Sequence, residues 1–238
     1  MPFGILASIN FKYSLVMERH QEFPQRRRFK QFLMAPVFVA ILVLGWFYPL
    51  LGYFIPLCML FGIALSFTRG RKWCDWYCPR GSFYDVVVSA VSPKRNIPSF
   101  LKSMYFRIGV LLVLLLVMAF QLFRYWPDPH KIGAFFVILI TITTAAGIIL
   151  ALIFHQRTWC LICPLGTMAN LIGGSRRPLK IDSDLCGECK LCAKVCPVQI
   201  RPYLFKKEGL QPVKDGDCLK CGMCVIACPK KALKFSSL

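Results

Sequence analysis

Charged residues are sparse in this chain, 17% of 238, and acidic ones sparser still: eleven Asp and Glu stand against thirty Lys and Arg. Histidine occurs only as His20, His130 and His155, none inside an apolar stretch. A bis-histidine haem within a helical bundle therefore lacks its ligands. Also missing are a P-loop, a dinucleotide glycine fingerprint and a placed catalytic triad. What is abundant is apolar: 56% of residues are hydrophobic. Stretches of that length exceed a soluble core. They exclude both a disordered chain and a free nucleic-acid-binding protein, despite the formal net charge of +19.

Phe32 to Phe67 runs for 36 residues without a charge. One helix of that length would reach roughly 54 Å, against a hydrocarbon core of about 30 Å. Gly45-Trp46-Phe47-Tyr48-Pro49 lies near its middle and breaks it, giving two spans with Trp46, Tyr48 and Tyr53 at the interface. A third span covers Tyr105 to Phe123 and a fourth Ile132 to Phe154. No cleavable signal peptide is read at the N-terminus. There Phe3, Leu6, Ile9, Tyr13 and Val16 recur near helical spacing, as in an interfacial helix or a packed terminus.

Twenty-eight of the thirty basic residues fall before span one, between spans two and three, or after span four. Only Arg124 and Lys131 lie on the other side. The asymmetry predicts cytoplasmic termini and a cytoplasmic central loop at an inner membrane. Basic residues at membrane edges have a sufficient cause in topology and anionic lipid.

Thirteen cysteines complete the composition. Cys186, Cys189, Cys192 and Cys196-Pro197 are followed by Cys218, Cys221, Cys224 and Cys228-Pro229 at identical spacing, which is the bacterial two-cluster ligand run, twice. In that pattern the fourth cysteine crosses over. Cys186, Cys189, Cys192 and Cys228 are expected to hold one [4Fe–4S] cluster, and Cys218, Cys221, Cys224 and Cys196 the other. Disulfides are disfavoured in a reducing compartment, and zinc sites use separated cysteine pairs.

Each apolar hairpin also runs into a second kind of motif: Trp73-Cys74 with Cys78-Pro79 and Gly81, then Trp159-Cys160 with Cys163-Pro164 and Gly166. The membrane half is thus an internal repeat whose two motifs share one face. Cys74, Cys78, Cys160 and Cys163 are candidates for a third [4Fe–4S] cluster, with structural or redox-active thiols as the plainer alternative. Cys58, inside span two, reads as a small buried hydrophobe. His155, beside Gln156 and Arg157, is an interfacial histidine or a partner for a quinone headgroup, as Trp73 and Trp159 could be. Lysines around the last eight cysteines balance cluster charge, face lipid, or dock an acidic redox partner.

With these motifs in place, the chain resembles the membrane-bound polyferredoxins of the NapH and NosR type, quinol-dehydrogenase subunits among them. In that family the membrane motif reads Cys-x3-Cys-Pro; Cys74 to Cys78 matches it and Cys160 to Cys163 is one residue shorter. The expected architecture is an α-helical integral membrane protein, four transmembrane helices as two hairpin repeats, with a small C-terminal α+β two-cluster ferredoxin domain. Its parts are a basic segment (1–31), a membrane domain (32–174) and the ferredoxin (175–238). The expected function is electron transfer between the quinone pool or a membrane partner and a redox enzyme. The alternative is a maturation factor that reduces a metal or thiol in another complex. No bond-making residue is evident, so an enzymatic role rests on quinol oxidation within this subunit.

Overall fold

The structure, a computed structural model, describes residues 25–235. The periodic segment from Phe3 to Val16 lies outside them. Helix α1 covers 25–44 and stops where Gly45 and Tyr48 turn back their amides onto the Ile41 and Leu44 carbonyls. A 3-10 turn, Pro49–Tyr53, leads into α2 (Phe54–Arg69). Two short helices follow, α3 (Lys72–Trp76) and α4 (Pro79–Val86). After α5 (Ser99–Lys102) comes the second hairpin, α6 (Met104–Arg124) and α7 (Pro129–Ile153). Asp128 caps α7 by accepting from the His130 and Lys131 amides, with Pro129 in the first position, where its missing N–H costs nothing. Another short pair closes this half, α8 (Thr158–Ile162) and α9 (Pro164–Gly173).

Three helical segments, Pro49–Arg69, Met104–Arg124 and Pro129–Ile153, are long and apolar enough to cross a membrane. Their outer faces are apolar as well: Leu116, Phe120 and Phe123 of α6 are all exposed, an arrangement suited to lipid rather than water. The expected first span differs. In α1 the basic residues Arg26, Arg27, Arg28 and Lys30 occupy the first turns, leaving an uncharged length of roughly 20 Å from Phe32 onward. The hairpins meet where Gly52 and Gly133 pack backbone to backbone; a Cβ on Gly52 would strike the Gly133 carbonyl.

The short helices cross over between repeats. Arg80 and Tyr84 of α4 donate to the Thr143 and Thr144 carbonyls of α7. In α9, Gly173 lies against the Ser66 carbonyl of α2. Each motif is therefore seated on the other repeat's span.

From residue 179 the chain forms a small antiparallel sheet. Strand β1 (Leu179–Asp182) lies between β2 (Leu210–Pro212) and β3 (Leu233–Phe235), pairing Ile181 with Gln211 and with Leu233. Helices α10 (Leu191–Lys194) and α11 (Met223–Ile226) each carry the third cysteine of a run. Leu179, Ile181, Val198, Leu219 and Leu233 form a core of this half, small enough that ligand binding must supply much of its folding energy.

Candidate functional site

The two ligand runs fold alike. Glu188 and Lys190 in the first run, and Lys220 and Gly222 in the second, occupy equivalent positions and all have positive φ. Gln199 and Lys231, three residues after each fourth cysteine, do too. For the five that carry a side chain this costs roughly 1–3 kcal/mol each, tolerated where something over-determines the loop. Left-handed residues turn successive amides toward one point and create an anion-binding nest of the kind found at iron–sulfur sites. The Ile200 and Ala232 amides point at sulfur, donating to Cys196 Sγ and Cys228 Sγ at 3.3 Å each.

Crossing of the fourth cysteine is visible in the cavities. One is lined by Cys196, Cys218, Cys221 and Cys224, the other by Cys186, Cys189, Cys192 and Cys228. These are the two expected ligand sets. Among the described residues no three His, Cys, Asp or Glu side chains converge tightly enough for a single metal ion. The donor set, the nests and the amide-to-sulfur bonds fit a multinuclear cluster.

The membrane motifs are related to one another residue by residue. Arg71 and Arg157 precede α3 and α8, and the first cysteine of each motif donates its amide to that arginine's carbonyl, at 3.1 Å in both. Cys78 and Cys163 precede α4 and α9, each followed by proline. The amides of Ser82 and Thr167 close the first turn onto these cysteines, at 2.9 Å in both. The one-residue difference in spacing is absorbed locally. Cys163 donates to the Trp159 carbonyl, and Cys78 to the Trp73 carbonyl, which also accepts from the additional residue, Tyr77. Both second cysteines thus return to the motif's tryptophan.

Cys74, Cys78, Cys160 and Cys163 are brought together, within mutual electrostatic reach. Burial pushes the Cys74 thiol up to about 11 and Cys78 to about 12, and also raises Cys160. Such thiols are poor nucleophiles unless a metal displaces the proton.

Two arginines reach from one repeat's motif to the other's. Arg157 Nη1 donates to the Cys74 carbonyl at 2.9 Å and approaches Cys160 Sγ at 3.6 Å, while Arg71 Nη2 donates to the Cys160 carbonyl at 2.7 Å. Both guanidinium groups are fully buried. Gly81 and Gly166 make room for them: a Cβ would lie 2.8 Å from Arg157 Nη1 in one case and from Arg71 Nη2 in the other. The Gly81 amide donates to Cys78 Sγ at 3.4 Å, so four gathered cysteines, an amide-to-sulfur bond and two nearby guanidinium groups make a donor set and a charge environment suited to a thiolate-ligated cluster. The residues fit the group.

Asp85 receives Arg157 Nε at 2.8 Å and Nη2 at 2.6 Å. Arg27 of α1 bridges Asp75 and Asp85, and Gln31 donates to Asp85 as well. By position along the chain alone, all these basic residues count as topology signals. Their signal was available as Arg-x2-Cys in both repeats. His155 is buried and accepts the Arg157 amide at Nδ1; it faces this network and lies off the cavity described next.

An apolar cavity of about 160 Å³ opens among α1, α2, α6 and α7. Cys78 and Cys163 form part of its wall, with Trp73, Trp159 and Arg80; Cys58, half-buried, lines it too. The indole nitrogens of Trp73 and Trp159 and the Arg80 Nε are buried without a hydrogen-bond partner.

Known proteins resemble the chain in these same regions. A 4Fe-4S binding domain family matches residues 51–98 and again 133–182, one match per membrane repeat. A 4Fe-4S dicluster domain family matches 178–229. An uncharacterized protein of Methanocaldococcus jannaschii is 25% identical over 83% of this chain and 82% of its own. The ferredoxin-type protein NapH of Haemophilus influenzae is 29% identical over 70% of this chain and 62% of its own length. The putative electron transport protein YccM of Escherichia coli is 26% identical over 73% and 53%. The chain thus spans little more than half to three-fifths of these last two relatives. No solved structure matches it.

Proposed function

Proceeding from its likeness to membrane-associated 4Fe-4S polyferredoxins of the NapH type, we propose that this iron–sulfur electron-transfer protein oxidises membrane quinol and passes the electrons to a redox partner. The observation that carries this reading is the cavity. An apolar cavity of about 150 Å³ holds a benzene ring, and this one is comparable, faces the span interior and abuts two cysteines. Trp73 Nε1, Trp159 Nε1 and Arg80 Nε are donors awaiting an acceptor, which a quinone oxygen supplies. Arg80 is held in place by the Thr143 carbonyl and sits over the Trp159 ring at 4.8 Å.

In this reading Cys74, Cys78, Cys160 and Cys163 hold a third cluster, beside the two held by the C-terminal cysteines. A [4Fe–4S] cluster, when bound, accepts and releases one electron at a time, so each quinol would give up two electrons in succession and its two protons to solvent, leaving as quinone. The protein binds and orients the quinol, excludes water with the cavity's apolar wall, and balances thiolate charge with Arg71 and Arg157. Four spans, α1 included, then place both termini and the ferredoxin half on the cytoplasmic side of the inner membrane, with segment boundaries near residues 31 and 174.

Anaerobic reduction followed by electron paramagnetic resonance tests the proposal. Quinol should reduce the clusters of the native protein in nanodiscs, and the doubly substituted Trp73→Phe, Trp159→Phe protein at least tenfold more slowly. Clusters that take electrons from dithionite but never from quinol defeat it.

A further inference from the structure

The two arginine clamps are equivalent except in where their carboxylates come from. Asp85 lies seven residues after Cys78 and neutralises Arg157 from within the membrane half. The equivalent position, seven after Cys163, is Asn170. Among the described residues Arg71 therefore has no carboxylate partner in its own half, and its Nε has no hydrogen-bond partner, whereas Arg157 Nε meets Asp85. The missing charge arrives from the other half of the chain. Asp217, directly before Cys218, accepts from Arg71 Nη1 at 2.6 Å and from Asn170 Nδ2 at 2.8 Å. Arg107 of α6 adds a bidentate pair at 2.7 and 2.6 Å. The fit is close: Gly216 packs on Asn170 so tightly that a Cβ would strike its side chain.

We infer that Asp217 is the docking residue of the ferredoxin half, supplying the carboxylate that the second cysteine repeat lacks and so fixing the Cys196, Cys218, Cys221 and Cys224 set against the membrane motifs. A second contact orients the same set: Gln199, three residues after Cys196, exchanges hydrogen bonds with the Arg95 carbonyl and the Ile97 amide, at 2.8 Å each. Lys220, within the run, lies against Gly70 at the end of α2. Cys186, Cys189, Cys192 and Cys228 are turned the other way. Cys189 is exposed, and the side chains nearest this set include Lys190 and Lys230. One guanidinium, Arg71, thus joins the Cys160 carbonyl to the residue preceding Cys218. The ferredoxin half has a membrane-facing site and an outward-facing site.

The role of Asp217 as part of a relay rests on the function proposed above, but its role in docking does not, and the test separates them. Moving the carboxylate to the other side of the junction, with Asn170→Asp and Asp217→Asn together, keeps the net charge and gives Arg71 a partner inside its own half. In full-length protein in nanodiscs, this double variant should keep its iron. Trypsin should cut it after Arg176, in the connection between α9 and β1, at least tenfold faster than the native chain. Magnetic coupling between the membrane and ferredoxin clusters should weaken, whereas Asp217→Glu in the native background should retain part of both the coupling and the trypsin resistance. Native resistance to trypsin with native coupling in the double variant overturns the inference, because a carboxylate on either side would then suffice. So does loss of iron in step with trypsin sensitivity, which would assign Asp217 to cluster assembly. Failure of quinol reduction with these results intact would defeat only the proposed function.

Discussion

Every nitrogen of the Arg157 side chain is engaged: Nε and Nη2 by Asp85, Nη2 also by Asp75 at 3.5 Å, and Nη1 by the Cys74 carbonyl and Cys160 Sγ. Lysine cannot reproduce that fork, since its ammonium is a single point on a flexible stem. Arg157→Lys leaves Asp75 or Asp85 buried with less compensation, and breaking such a network costs about 3–5 kcal/mol. Thermal unfolding in nanodiscs should show the loss, and iron analysis should show depletion of the membrane site ahead of the ferredoxin sites. His155, a few ångströms away at Nδ1, gives a pH signature. Burial is the main cause that lowers it from 6.5 to about 4, opposed by Asp85 and reinforced by Arg157, Lys94 and Lys102. Because the folded value lies below the unfolded one, its contribution is complete above about pH 6.5 and declines as pH falls toward 4. The full effect of that shift is roughly 3 kcal/mol. Melting temperature measured at pH 7 and pH 5 should fall less in His155→Gln than in the native protein.

At the scale of elements, the short helices that follow each span organise the site, and they were only half legible. The cysteine spacing named the two groups of four cysteines that line the two C-terminal cavities, Cys196 with the second run and Cys228 with the first, because two complete runs at one spacing carry the crossing pattern of the two-cluster fold. Helices α6 and α7 were legible from hydropathy to within a few residues, since a long uncharged run has few alternatives. What hydropathy could not show was the exchange of α4 and α9 between repeats, or the use of Arg27, Arg71, Arg107 and Arg157 in buried pairs. Charge counting along a chain registers sign and position, and buried pairing depends on which elements meet. The same blindness hid the match between Asp85 and Asn170. The element-level prediction concerns stoichiometry. With Cys74 and Cys160 both replaced by serine, anaerobically purified protein should carry about eight irons instead of about twelve. Cys186→Ser should instead disturb a ferredoxin signal. Unchanged iron in the first variant returns the membrane cysteines to a structural role.

For the whole molecule, the number of membrane crossings turns on α1. Three segments qualify by length and composition, and α1 is the fourth candidate. Its uncharged length is short, but the whole helix of 25–44 reaches roughly 30 Å, matching a hydrocarbon core. Arg27 and Gln31 do not have to reach headgroups, because Asp75 and Asp85 receive them inside the protein. That pairing also fixes the start of α1 beside the cysteine motifs. If α1 crosses, its far end must emerge with Trp46 and Tyr48, both exposed, on the side that carries Arg124 and Lys131. An α1 that lay along the surface would keep its start on the face where α2 begins, since a short turn joins the two helices, yet Arg27 at that start pairs with Asp75 and Asp85 beyond the other end of α2. The crossing helix is the arrangement consistent with that contact. A cysteine placed at Tyr48 in a variant lacking reactive surface thiols should be labelled from the periplasmic side by a membrane-impermeant maleimide, together with one placed at Lys131. One placed at Lys214, in the ferredoxin half, should react only after the membrane is opened. Periplasmic labelling at both Tyr48 and Lys214 would contradict four crossings with the ferredoxin half inside.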